Sequence, residues 1–273
     1  MHYVKYLNGL ELSGYIKERQ AKQVRALKQA NGINPKLAII VTIHDPVIEI
    51  YLRLKKKYGE EIGIEVELFR VEIEEVPELI KKLNSDDSIH GIIVQLPIAN
   101  EERTEEIVDL VAPNKDVDGL AKKTDFDPAT PLAILWLLAG YNVNLDGKNI
   151  VIVGKGRLVG APLEKALKAS GQNPIVLSRQ SKDIADEVKN ADVIITATGV
   201  PGLIKSDMIK QDAVVVDAGV ASENGKTVGD VDEDVYDNRL DLTITPTKGG
   251  VGPLTVCALF DNLIRSANNF IKH

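Results

Sequence analysis

Seven short apolar runs recur along the chain, four to six residues each, separated by charged stretches long enough for helices. The first three are Leu37-Ala38-Ile39-Ile40-Val41, Val66-Glu67-Leu68-Phe69 and Gly91-Ile92-Ile93-Val94-Gln95-Leu96. The last four are Asn149-Ile150-Val151-Ile152-Val153, Pro174-Ile175-Val176-Leu177, Val193-Ile194-Ile195-Thr196 and Val214-Val215-Val216-Asp217. Strands that alternate with helices pair in parallel, because each helix carries the chain back along the sheet. Near-continuous apolar runs such as the last four belong to strands buried on both faces. The pattern predicts an α/β fold. At 273 residues one hydrophobic core gives way to two, so two domains are expected, with the break near 130–146.

Helices are expected over 10–30, 46–61, 76–84 and 101–111 in the first half. Asn31-Gly32 supplies a C-terminal stop for the first of these, and Asp45-Pro46 supplies an N-cap and a first-turn proline for the second. Segment 131–141 is apolar nearly all round, which suits a buried connecting helix. A last helix is expected over 253–271.

Composition removes several classes of function. The net charge is −7, and no cluster of Lys and Arg with interleaved aromatics is present to neutralise a phosphate backbone, so no nucleic-acid partner is expected. The longest uncharged run, 131–145, is shorter than the roughly 20 residues a membrane helix needs. The N-terminus lacks the apolar stretch of a secretory signal. A cytoplasmic protein with no membrane partner is expected. Cys257 is the sole cysteine, and the four histidines, His2, His44, His90 and His273, have no metal-ligand spacing, so no metal is expected.

The segment from Val151 to Pro162 is a strand running into a glycine-rich turn and then a helix, the arrangement that seats a dinucleotide pyrophosphate on helix N–H groups. Gly154, Gly156 and Gly160 follow the spacing G-x-G-x-x-x-G, one residue longer than the usual fingerprint. Where an NAD-binding chain carries an acid for the ribose, after the next strand, this one reads Ser178-Arg179-Gln180. Ser178 can donate to a 2′-phosphate, and Arg179 and Lys155 can offset its charge, so NADP is the expected cofactor. Val159, Thr198 and Gly199 complete the candidate cofactor set. Exposed polar residues on a strand–helix loop would give a similar pattern.

Other places carry chemistry. Tyr51 and Lys55 stand one turn apart on the helix after Asp45-Pro46. A desolvated lysine can lose its proton and act as a base. Tyr-x-x-x-Lys on a charged helix also describes solvated surface, and Lys56 and Lys57 read only as that. Gln95 ends an apolar strand, and the carboxyl ends of strands carry the ligand in open α/β sheets. Asp116-Val117-Asp118-Gly119 offers two carboxylates on one face if extended, or an Asp-Gly turn. Gly249-Gly250-Val251-Gly252-Pro253 sets glycines where backbone must approach something closely, a ligand or a hinge.

Taken together these segments resemble the bifunctional methylenetetrahydrofolate dehydrogenase/cyclohydrolase family. The resemblance is carried by Tyr51-x-x-x-Lys55, Glu61-Ile62-Gly63-Ile64, His90-Gly91-Ile92-Ile93-Val94-Gln95-Leu96-Pro97 and Pro113-x-Lys115-Asp116-Val117-Asp118-Gly119. Thr130-Pro131, Val159-Gly160-x-Pro162, Gly229-Asp230-Val231, Thr245-Pro246 and Gly249-Gly250-Val251-Gly252-Pro253-Leu254-Thr255 extend it over nearly the whole chain. It implies an N-terminal α/β folate domain, 1–130 plus 253–273, and a Rossmann-type NADP domain, 140–245, with a cleft between them.

The resemblance further implies a homodimer, assembled through the cofactor domain, and two steps of one-carbon metabolism. NADP-dependent oxidation of 5,10-methylenetetrahydrofolate is followed by hydrolysis of the methenyl product to 10-formyltetrahydrofolate. Lys55 would assist water attack and proton transfer, Gln95 would hold and tune it, Tyr51 would position the folate and Asp118 would hydrogen-bond the pterin. Leu96, Pro97, Gly252 and Pro253 would line the folate site.

The chain departs from the family pattern in four places. Ile48 stands where a serine is common, and Gly154-Lys155-Gly156 replaces Gly-Arg-Ser. Pro246-Thr247-Lys248-Gly249-Gly250 replaces Pro-Val-Pro-Gly-Gly, and the segment between Gly119 and Thr130 is shorter than in most relatives. Two alternatives stand beside this reading: a dehydrogenase for a related pterin such as methylene-tetrahydromethanopterin, and a non-catalytic NADP-binding module.

Overall fold

The computed structural model describes residues 4–223 and 226–270. The chain begins with strand β1 (Lys5–Tyr6) and helix α1 (Gly9–Asn31). There follow β2 (Lys36–Val41), α2 (Pro46–Ile62), β3 (Glu65–Arg70), α3 (Val76–Asn84), β4 (Gly91–Val94) and α4 (Thr104–Val108). Helix α5 (Ala129–Gly140) leads to β5 (Ile150–Val153), α6 (Gly160–Ala169), β6 (Ile175–Leu177), α7 (Ile184–Lys189), β7 (Val193–Thr196) and β8 (Val214–Asp217). The last elements are β9 (Ala221–Glu223), β10 (Lys226–Val228), α8 (Glu233–Asn238), β11 (Thr243–Ile244) and α9 (Val251–Asn269). Each of the seven apolar runs is a strand.

Two compact units result. Of the described residues, 14–129 and 256–270 form one, and 4–13 and 130–255 form the other. The first unit holds a parallel sheet in the order β3-β2-β4. Because β3 pairs on one side of β2 and β4 on the other, the loops after β2 and β4 diverge, opening a crevice at the strand carboxyl ends where α/β sheets bind ligands. The second unit holds a sheet in the order β1-β11-β8-β7-β5-β6, all parallel, with β9 and β10 as a separate antiparallel hairpin. Here β6 and β7 flank β5, so the same divergence falls between the loops after β5 and β7.

Local signals account for the helix ends. Gly32 has φ +68°, and the Ile33 N–H reaches the Leu27 carbonyl at 3.3 Å, closing α1 as a left-handed cap. Asp45 accepts the Ile48 N–H at 3.1 Å and starts α2. The helix expected over 101–111 is instead a 3-10 turn, Glu101–Arg103, followed by α4, which stops at Val108. The Asn84 amide is the reason: it donates to the Leu110 carbonyl at 2.8 Å and accepts the Ala112 N–H at 3.0 Å, taking over backbone groups that would have continued the helix. The last helix begins at Val251, two residues earlier than expected, and the expected end at Ile271 lies outside the described residues. Strand β1 carries no sequence signal of its own; its two residues pair with Thr243 and Ile244 of β11.

Lys115 is 2% exposed, and its ammonium donates to the carbonyls of Leu83, Asn84 and Asp86 at 3.0, 2.9 and 2.8 Å. All three ammonium protons are thus spent on the carboxyl end of α3, which anchors the segment beginning at Pro113. Lys115→Met should lower stability by about 3 kcal/mol, since it leaves carbonyls buried without donors. Urea unfolding checks this; an unchanged midpoint would show that water replaces the amine.

Candidate active site

Within the first unit, α2 follows β2 and carries Tyr51 and Lys55, both half-buried, while Lys56 and Lys57 are exposed. Gln95 follows β4, and its N–H extends the ladder to the Ile40 carbonyl at 2.9 Å. The two loops that diverge at the crevice therefore supply the lysine and the amide. Lys55 Nζ donates to Gln95 Oε1 at 2.8 Å. Gln95 Nε2 donates to the Leu96 carbonyl at 2.8 Å, which fixes the amide orientation and keeps its oxygen toward the lysine.

Burial holds the Lys55 amine below a lysine's usual range, and the nearby Asp118 carboxylate opposes that only in part. Burial likewise pushes the Asp118 carboxyl up, against the Lys55 charge and with help from Asp116. Both partners are driven toward their neutral forms. Gln95 is an uncharged acceptor, so it orients the amine without fixing a charge on it as a carboxylate would. Burial also raises the Tyr51 phenol. Among the described residues no hydrogen bond to the Asp118 carboxylate or the Tyr51 hydroxyl occurs, so both remain available to a ligand.

Asp116 and Asp118 have different jobs. Asp116 is 3% exposed, and its carboxylate accepts the N–H groups of Leu120 and Ala121 at 3.3 and 2.9 Å. The Gly119 N–H bonds back to the Asp116 carbonyl at 3.0 Å, and Gly119 has φ +70°. A Cβ there would fall 2.7 Å from the Pro128 nitrogen. The Asp-Gly turn is therefore real, and it is what presents Asp118. Ile92 pairs with Asp116 as a parallel bridge, which puts the turn at the carboxyl end of the same sheet. Ile48, where a serine was noted as common, is 4% exposed and packs in the core.

The second unit carries the glycine-rich turn. Gly154 has φ +113°, and a Cβ there would lie 2.5 Å from the Ala197 carbonyl oxygen. A Cβ at Gly160 would overlap the Gly154 carbonyl, so both glycines are needed for the first turn of α6 to lie against β5. Gly156 faces open space. Lys155 and Arg179 are exposed, and among the described residues neither has an ion-pair partner. Ser178 Oγ accepts the Gln180 N–H at 3.2 Å, which leaves the hydroxyl proton free to donate. A turn open to a phosphate, unpaired cations and no acid after β6 suit a dinucleotide with a 2′-phosphate.

Thr198 and Gly199 lie on the loop after β7, across the divergence from Gly154. That loop is held by a residue to which the sequence assigned no role. Asp230 is fully buried; its Oδ2 accepts Thr196 Oγ1 at 2.5 Å and the Thr198 N–H at 2.6 Å. Asp217 in turn accepts the Asp230 and Val231 N–H groups at 3.1 and 3.0 Å. Burial raises the Asp217 carboxyl, and the neighbouring Asp230 adds to the shift. Gly229-Asp230-Val231 was the available signal.

The glycines before α9 are explained by packing. The Gly249 carbonyl accepts the Leu10 N–H at 2.8 Å, and a Cβ at Gly9 would overlap the Gly250 carbonyl. Gly252 and Pro253 stand in the first turn of α9, in the second unit, whereas Tyr51, Lys55, Gln95, Leu96, Pro97 and Asp118 belong to the first. Among the described residues no helix is long and apolar enough to cross a membrane, and no group of three or more His, Cys, Asp or Glu could hold a metal ion.

Residues 7–118 match the family model described as tetrahydrofolate dehydrogenase/cyclohydrolase, catalytic domain. Residues 128–271 match that of the tetrahydrofolate dehydrogenase/cyclohydrolase, NAD(P)-binding domain. The bifunctional protein FolD of Staphylococcus aureus is 38% identical over 274 residues, covering 95% of each chain. The crystal structure of the bifunctional FolD methylenetetrahydrofolate dehydrogenase/cyclohydrolase from Campylobacter jejuni superimposes with a TM-score of 0.92, at 36% identity, over 98% of this chain and 99% of that one. The Trypanosoma brucei methylenetetrahydrofolate dehydrogenase-cyclohydrolase, solved with NADP and an inhibitor, gives a TM-score of 0.93 at 27% identity over 100% of both chains.

Proposed function

The chain belongs to the tetrahydrofolate dehydrogenase/cyclohydrolase family, and on that premise we propose that Lys55, held by Gln95 and faced by Asp118, is the base of its hydrolytic step. The enzyme oxidises 5,10-methylenetetrahydrofolate to the methenyl form and hydrolyses that to 10-formyltetrahydrofolate. One observation carries the assignment of the base: the Lys55 amine is 2.8 Å from an uncharged amide oxygen and held below its usual range by burial.

NADP, when bound, supplies the hydride acceptor for the oxidation. Gly154, Lys155, Gly156, Val159 and Gly160 form the turn that would receive its pyrophosphate. Ser178 and Arg179 would hold the 2′-phosphate, and Thr198 and Gly199 would flank the other side of the divergence. The protein's part in the oxidation is orientation of the folate, a task that falls, in the first unit, to Tyr51, Asp118, Leu96 and Pro97.

In the second step water adds to the methenyl carbon of the folate and gives a proton to uncharged Lys55. The hydroxyl proton then passes to the ring nitrogen as its bond to that carbon opens. The Lys55 ammonium returns its proton to solvent, so one proton is released per turnover. Asp118 favours the ammonium through its charge, which eases proton uptake, while burial favours its return. The same reading makes the protein a cytoplasmic homodimer, assembled through the cofactor-binding unit. A tetrahydromethanopterin dehydrogenase or a non-catalytic NADP-binding module would leave the Lys55–Gln95 pair without a use.

Lys55→Met should lower methenyl hydrolysis at least about a hundredfold, the usual contribution of a general base, with NADP affinity retained. Undiminished decay of the methenyl absorbance would sink the assignment. Arg179→Ala should weaken NADP about tenfold and leave NAD nearly unchanged. Equal losses, measured by calorimetry, would show that Arg179 does not touch the 2′-phosphate.

A further inference from the structure

We infer that Asn262, on α9, is a positioning residue that aims Asp118 at the folate by clamping both ends of the 118–127 loop. Asn262 is fully buried. Its Nδ2 donates to the carbonyls of Val117 and Asp127, each at 2.9 Å. Its Oδ1 accepts Arg265 Nη1 at 3.4 Å, and the Arg265 guanidinium lies 5.5 Å from the centre of the Phe126 ring. Both amide protons and the amide oxygen are thus used, which leaves one orientation for the side chain.

The consequence falls on Asp118. The Val117 carbonyl belongs to the peptide unit whose nitrogen is that of Asp118, so Asn262 pins the plane before the residue. The Gly119 N–H bond to the Asp116 carbonyl pins the plane after it. With both flanking planes held, the direction of the Asp118 Cα–Cβ bond is set, although nothing among the described residues hydrogen-bonds its carboxylate. Helix α9 can reach so far because β4 offers Gly91 beneath it: a Cβ there would lie 2.6 Å from the Leu263 side chain. Asp127 closes the other end, where Gly119 lies against the Asp127–Pro128 peptide. The segment between Gly119 and Thr130 is thus tied near both of its roots by one side chain.

The inference rests on the folate reading, and a double-mutant cycle separates the two. Asn262→Ser leaves room for water to meet both carbonyls and keeps the protein folded, which circular dichroism and NADP affinity check. It should weaken tetrahydrofolate binding about tenfold in the wild-type background and less than about twofold in Asp118→Asn. It should also shift the Lys55-dependent limb of the pH profile for methenyl hydrolysis to lower pH, because a displaced Asp118 no longer supports the ammonium. An equal loss in both backgrounds, or no loss in either, would overturn the clamp while leaving the folate reading intact. A wild-type protein that does not bind tetrahydrofolate would overturn both.

Discussion

Removing a lysine amine from water costs more than a nearby carboxylate returns, and the first unit is arranged around that imbalance at Lys55. The sheet order β3-β2-β4 makes the loops after β2 and β4 diverge, so a side chain on α2 and one after β4 can meet above the strand ends. Gln95 meets Lys55 there with a neutral oxygen. A carboxylate at that position would have secured a positive charge on the amine. Asp118 supplies the opposing influence through charge, from a turn whose geometry depends on Gly119, Asp116 and the Lys115 anchor.

The second unit solves a different problem with the same topology. Its sheet also diverges, between the loops after β5 and β7, and the gap is bounded by glycines that let backbone approach closely, with the exposed Lys155 and Arg179 on the loops beside it. Asp230 keeps the far rim rigid by accepting Thr196 and Thr198 together. The matched family models give the two parts of the chain different work, a catalytic domain over residues 7–118 and an NAD(P)-binding domain over residues 128–271.

Much of this could be read from the residues, for identifiable reasons. Strands β2, β4, β5 and β7 are buried almost throughout, and burial on both faces leaves an unmistakable composition, whereas β3 and β6 are partly exposed edge strands, so the burial on both faces expected for the β6 run does not hold. Asp45 and Gly32 act locally, so their caps needed no knowledge of the rest of the chain. What escaped was long-range. Strand β1 exists because β11 lies beside it, and α4 ends early because Asn84 reaches across 26 residues to the Leu110 carbonyl. At the site, Tyr51, Lys55, Gln95 and Asp118 were visible as residue types, but the charge state of the lysine depends on its burial. Asp118 was left open between a turn and a ligand role, and the structure uses the turn to present a half-buried carboxylate that no described residue hydrogen-bonds. Asn262 was silent because it acts on backbone atoms far away in sequence, and Asp230 was visible in Gly229-Asp230-Val231 without a role, because its partners Thr196 and Thr198 lie more than 30 residues away.

The central claim is that Lys55 is neutral often enough, near physiological pH, to take a proton from water. Its amine can be titrated directly by nitrogen NMR in the folded protein, with the resonance assigned by its loss in Lys55→Arg. The account predicts a midpoint clearly below that of a solvent-exposed lysine, falling further in Asp118→Asn. A midpoint at or above the exposed value would mean that the amine stays charged, and the base would have to be sought elsewhere.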